Sequence, residues 1–148
     1  MLTLALSNGI LLRLGSESEL ELEEFGQAVH TASTKYAELT AEPTVSRTRL
    51  RLVRGEVEIE VKPLQEARGS SFGLETPAGA LRTGAAVVRA RVRMSDLGLG
   101  ICAVEVRKGT AEFTATGRKP VAVAAGGALT YALETDRRTG ETKLEDMP

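Results

Sequence analysis

The stretch from Ser70 to Met94, SSFGLETPAGALRTGAAVVRARVRM, constrains the fold more than any other part of the chain. Two runs with a period of two residues flank a break. In the first, Phe72, Leu74 and Thr76 fall on one side and Gly73 and Glu75 on the other. Thr76-Pro77-Ala78-Gly79 then interrupts the run, since proline fixes φ and lacks an N–H while Gly79 tolerates positive φ. In the second run Ala86, Val88, Ala90, Val92 and Met94 alternate with Arg89, Arg91 and Arg93. This is the pattern of strands with one buried and one solvated face. It predicts a hairpin whose second strand carries a basic outer row.

The same unit of short strand, glycine-bearing turn and short strand recurs along the chain. Leu2, Leu4 and Leu6 alternate, Ser7-Asn8-Gly9 turns, and Ile10, Leu12 and Leu14 alternate again. Asn-Gly between alternating runs is the strongest short-range hairpin signal and suggests a type I′ turn. Leu20 and Leu22 point inward, with Glu19, Glu21 and Glu23 as an acidic outer row. Leu50 and Leu52 alternate with Arg47, Arg49 and Arg51; after a kink at Val53-Arg54-Gly55, Val57, Ile59 and Val61 alternate with Glu56, Glu58 and Glu60 until Lys62-Pro63. Downstream, Cys102, Val104 and Val106 precede a kink at Lys108-Gly109, and Ala111, Phe113 and Ala115 follow it. Short strands are expected at Val121–Val123 and Leu129–Leu133, with a turn at Gly126-Gly127. The two kinks form a loose internal repeat, a basic residue and a glycine before an inward-outward-inward strand.

Strands separated by turns at intervals of roughly 8–12 residues indicate an all-β fold, stacked as a solenoid-like structure or closed as a two-sheet sandwich. The repeated unit favours the solenoid-like form. Residues 1–134 read as one domain, with 26–48 as an irregular excursion and 135–148 as a charged C-terminal tail with Thr139-Gly140 as a hairpin tip. Within the excursion Val29, Tyr36 and Leu39 also fit one face of a short helix that Pro43 would end.

Composition narrows the function. With 148 residues the chain is long enough to bury a sizeable core. A net charge of -1 and only 3% aromatic residues argue against nucleic acid as a partner. No apolar run approaches the roughly 20 residues of a membrane span, and there is no signal-peptide pattern. Cys102 is the single cysteine and is in phase with core residues; His30 is the single histidine and lies in the excursion. Neither a Cys–His nucleophile pair nor a four-ligand zinc site is expected, and no cofactor is implied. The glutamate rows read as solvated strand faces rather than paired catalytic carboxylates. The candidate interaction surface is the two arginine rows, Arg47, Arg49 and Arg51 with Arg89, Arg91 and Arg93. They could grip an anionic polymer or simply pair with the glutamates of neighbouring strands.

Four blocks in order resemble the FecR domain: NGILLRLGSESELEL (Asn8–Leu22), LVRGEV (Leu52–Val57), FGLETPAG (Phe72–Gly79) and Val104–Phe113, followed by Ala124-Ala125-Gly126-Gly127 where the family has its closing glycine-ended element. Two features depart from the family pattern. Arg82-Thr83-Gly84 stands where an arginine-glycine-threonine corner is usual, and the family's upstream strand unit is missing. The resemblance implies a non-enzymatic, extracytoplasmic (periplasmic) bacterial domain acting in signalling through protein–protein interaction. An envelope receptor or a sigma-regulator component is the implied partner. The missing unit leaves an expected unpaired strand edge, open to homodimerisation. The other function under consideration is binding of an anionic cell-envelope polymer.

Overall fold

Three strands too long for a single layer determine the architecture: β4 (Ser46–Val61) and β6 (Gly79–Met94) of 16 residues each, and β7 (Leu99–Ala115) of 17. At about 3.3 Å per residue each spans roughly 50 Å, well beyond an ordinary strand. Around them lie β1 (Leu2–Ala5), β2 (Leu11–Leu14), β3 (Glu19–Gln27), β5 (Ser71–Thr76), β8 (Val121–Ala124), β9 (Ala128–Thr135) and β10 (Thr142–Asp146). The computed structural model describes residues 2–27, 41–42 and 45–147. Among these, the single helical element is a 3-10 turn, Glu66–Arg68.

Each long strand bends and changes partners. Up to Arg54, β4 pairs with β3 and, in parallel, with β5; from Gly55 it pairs with β6, and then also with β2. β6 pairs with β5 as far as Arg82, shifts register between Arg82 and Ala85, and then pairs with β4. β7 pairs with β9 through Glu105 and with β8 from Thr110. The sheet thus divides into two layers. The first contains β3, the start of β4, β5, the start of β6, the end of β7 and β8; the second contains β1, β2 and the remaining halves with β9 and β10. Because Ala85 pairs with Thr110 and Val61 with Ala86, β6 and β7 cross between layers together, whereas β4 crosses at the far end. Strands that switch layers through bulges make the corners of orthogonally packed sheets.

Gly55 and Gly109, which the internal repeat placed at kinks, are at these corners with φ of 91° and 75°. A Cβ on Gly55 would overlap Ser18, whose Cα lies 2.5 Å from that position; one on Gly109 would press on Ala85 and Ala86. The two positions therefore need glycine both for conformation and for room.

The inward residues of both layers share one core. Leu50, Leu52, Phe72, Leu74, Leu81 and Phe113 of the first layer are buried, as are Val57, Ile59, Val88, Val92, Cys102, Val104 and Leu133 of the second. Phe113 and Tyr131 stack across the layers with ring centroids 5.6 Å apart. Full burial of each large aliphatic or aromatic side chain contributes roughly 1.5–3 kcal/mol. Pairing is antiparallel except between β4 and β5, so successive units do not stack as solenoid rungs. The two-layer alternative describes this all-β fold; its sheet remains open, ending at β1 and β10.

Several local expectations change. At Asn8-Gly9 only Gly9 has positive φ, so this is a Leu6–Gly9 turn ahead of a left-handed glycine rather than a type I′ turn. Asn8 is buried, and its Nδ2 donates to Ser46 Oγ (3.1 Å) and Thr48 Oγ1 (3.0 Å). Ser46 Oγ donates to the buried Glu42 carboxylate (2.6 Å), which also accepts from Ser70 Oγ and the Gln65 N–H (2.6 Å). This chain of buried polar groups ties the β1–β2 turn to the starts of β4 and β5. Of the segment read as an excursion, residues 26–27 continue β3 and 46–48 begin β4. The helical alternative at Val29, Tyr36 and Leu39, with Pro43, lies outside the described residues. The stretch read as a charged tail carries β10, whose Leu144 pairs with Leu133 and packs on the core. Leu2, Leu4, Leu22 and Met94 keep the expected alternation yet are exposed, since they lie on edge strands or at a strand end.

Two consequences can be measured. Replacing Gly55 or Gly109 with alanine should cost more than about 2 kcal/mol by combining positive φ with overlap, read as a lower midpoint in urea unfolding. Gly117, at φ 76° with open space around it, should tolerate alanine with the smaller conformational cost alone. The Cys102 thiol is pushed above its ordinary 9.0 by burial, partly offset by hydrogen bonds with Thr76 and the Ala78 backbone. A thiol that ionises more readily unfolded than folded contributes stability that is complete below the unfolded value and lost as pH rises toward the folded one. Stability should therefore fall as pH rises above about 9, and Cys102→Ala should flatten that part of the profile.

Candidate functional site

The outer face of the second layer carries charges in cross-strand register. Arg13 on β2 is paired with Glu58 on β4, Glu58 with Arg89 on β6, and Arg89 with Glu105 on β7. Alternation drives this arrangement: when Leu12, Ile59, Val88 and Val104 turn inward, every second residue faces water. The Glu58 carboxylate holds Arg13 on Oε1 (3.3 Å) and Arg107 on Oε2 (3.2 Å). The Glu56 carboxylate holds Arg89 on Oε1 and Arg91 Nε on Oε2 (3.5 Å). Arg107 also lies 3.9 Å from Glu105. Four guanidinium groups thus face three carboxylates; of these, Arg13, Arg89, Arg107, Glu56 and Glu58 line a depression of 560 Å³ that reaches Gly15 and Ser16.

The other row belongs to the first layer. Glu23 lies at a bulge in β3 and contacts Arg49 (3.4 Å) and Arg51 (2.7 Å), while Arg51 also donates to Glu75 on β5 (3.2 Å). The hydrogen bond to Glu75 and the Glu23 charge together raise the Arg51 pKa, so this guanidinium stays charged. Since the layers pack by their inner faces, the two arginine rows point away from each other. Arg89 and Arg91 share one carboxylate and Arg49 and Arg51 another; Arg47 and Arg93 make no ion pair among the described residues. Exposed pairs of this kind contribute roughly 0.2–1 kcal/mol each.

Arg13 and Arg107 were not singled out by sequence reasoning, although both are central to the second-layer cluster. Arg13 alternates with Leu12 and Leu14, so its outward direction was readable. Its position beside Glu58 depends on β2 pairing with β4, a contact between distant residues. Cys102 is buried, and no group of His, Cys, Asp and Glu among the described residues could hold a metal ion. His30 lies outside the described residues. No described helix is long and apolar enough to cross a membrane.

No family model matches the chain, and neither does any curated protein. The fold does match solved structures. Two crystal structures of a candidate anti-sigma factor from Parabacteroides distasonis superpose with TM-scores of 0.61 and 0.60 at 14% identity. In each case the match covers 97% of this chain and 54% of the other, so the chain spans about half the length of the proteins it resembles. At this identity the likeness establishes a shared fold.

Proposed function

We propose that the chain is a non-enzymatic, FecR-like module that acts in extracytoplasmic signalling by binding another protein. The observation that carries this reading is the edge at β1, which pairs with β2 and with no second strand among the described residues. Its four residues, LTLA, contain no charge, and Leu2 and Leu4 are 56% and 44% exposed. By contrast, the edge strands β3 and β10 carry Glu19, Glu21 and Glu24, and Lys143, Glu145 and Asp146, while β8 (VAVA), the uncharged edge of the first layer, closely follows Arg118 and Lys119. Charges on edges discourage strand addition, so an uncharged edge is suited to receive one. The partner contributes an extended segment whose main chain adds to β1 by β-augmentation. The shared fold with a candidate anti-sigma factor supports a regulatory role of this kind. A photocrosslinking residue at Leu4 in living cells provides the test. The expected result is one crosslinked protein, lost when Leu2 is changed to Lys and position 3 to Pro. Absence of any crosslink, or a product of twice the chain mass, would sink the reading.

A second reading rests on the Arg13, Arg89, Arg91 and Arg107 cluster, whose excess positive charge fits an anionic cell-envelope polymer. Co-sedimentation with polygalacturonate as the probe tests it. The double change Arg89→Glu with Arg91→Glu should weaken retention at least about tenfold. Undiminished retention would exclude the cluster as a polymer site.

A further inference from the structure

We propose that the outer face formed by β7 and β9 is a contact between two copies of this chain, related by a two-fold axis that runs along β7. Half of the second layer's outer face is charged, as described above. The other half is not. Cys102 and Val104 are buried, so Leu99, Ile101 and Ala103 point outward along β7. Tyr131 and Leu133 are buried, so Thr130 and Ala132 point outward beside them on β9. Leu99 and Ile101 are 52% and 43% exposed, and Leu97 at the adjoining turn is 74% exposed. The outer face of a sandwich layer is ordinarily polar, and a contiguous apolar patch on it marks an interaction surface. The small side chains of Ala103 and Ala132 allow another layer to approach closely.

The flanking charges identify the occupant. One flank of the patch, on β6, is basic: Arg91 and Arg93, the latter in register with Ile101. The opposite flank carries Glu134 on β9, with Lys143 directly across from it on β10, and Glu145 on β10 across from Ala132. An in-plane two-fold along β7 lays the β6 flank of one copy over the β9–β10 flank of the other. Ile101 then meets its own symmetry mate, and Arg93 reaches toward Glu134 and Glu145 of the second copy. Such a contact is isologous and closes on itself, so it yields a dimer and not a filament. It is separate from strand addition at β1 and does not depend on it.

Sedimentation equilibrium of the whole chain over a concentration series tests the proposal. The expected result is a monomer–dimer equilibrium. Ile101→Glu should raise the dimer dissociation constant at least about 100-fold, and Leu99→Ser should do so without introducing a charge. Arg93→Glu should raise it about tenfold, more at low salt, and adding Glu134→Arg should restore association. Thermal melts by circular dichroism establish that each variant is folded. A wild-type chain that stays monomeric throughout would overturn the proposal. So would a dimer indifferent to Ile101→Glu, or one abolished by Leu2→Lys with Leu4→Lys, which would place the contact at the β1 edge.

Discussion

The structure depends on three strands that each belong to two layers. A strand that serves only one sheet can be lost or slip while its layer partly survives. When β4, β6 and β7 pass through both, the register of one layer is transmitted covalently to the other. A shift of one residue in any of them would turn its whole apolar set outward in both layers. The left-handed glycines at Gly55 and Gly109 permit the crossing, and the displaced register of β6 between Arg82 and Ala85 completes the second corner. β5 then has a clear role. It enters between β4 and β6 in the first layer, where the two have separated, and leaves them paired directly in the second.

Most of the strand content was legible because alternation is a local property. Phe72, Leu74, Val88, Val92, Val104 and Phe113 all lie on the inner faces that a period of two assigns them. What alternation cannot report is which strand lies beside which. Gly55 and Gly109 were readable as kinks, but their function as crossings between layers depends on partners distant in sequence. For the same reason the repeated strand–glycine–strand unit suggested a solenoid, whereas its two copies mark opposite corners of one folded sheet. Burial failed at the margins, where Leu2, Leu4 and Leu22 keep their phase without a neighbouring layer to cover them. β10 was readable only as the far side of the hairpin tip at Thr139-Gly140, because its own alternation is carried by one leucine, Leu144, among charged residues.

The charged residues show why function was harder to read than fold. On a half-solvated sheet, rows of arginine and glutamate arise wherever alternation places them, and opposite signs on adjacent strands are mutually stabilising. The six arginines singled out from sequence therefore looked like one kind of surface. In space they occupy two faces that point apart, and four of them are engaged with Glu23, Glu56 and Glu75. A row of charge in sequence is thus weak information about a ligand. The cluster that does converge, around Glu56 and Glu58, includes Arg13 and Arg107 from β2 and β7, and only pairing between distant strands assembles it.

An edge and a face recognise in different ways, and the second layer leaves one of each uncharged among the described residues. At an edge, affinity comes from main-chain hydrogen bonds, so an incoming strand is selected by extended shape more than by composition. At a face, affinity comes from apolar area and selectivity from the charges around it. The β1 edge has backbone groups to offer and no flanking charge of its own. The β7–β9 face has Leu99 and Ile101 flanked by Arg93 on one side and Glu134 on the other. Both belong to the second layer, yet β1 and β10 terminate its opposite ends, with four strands between β1 and β9. A second copy seated on β7 and β9 would consequently leave β1 free, so self-association and strand addition could coexist on one molecule.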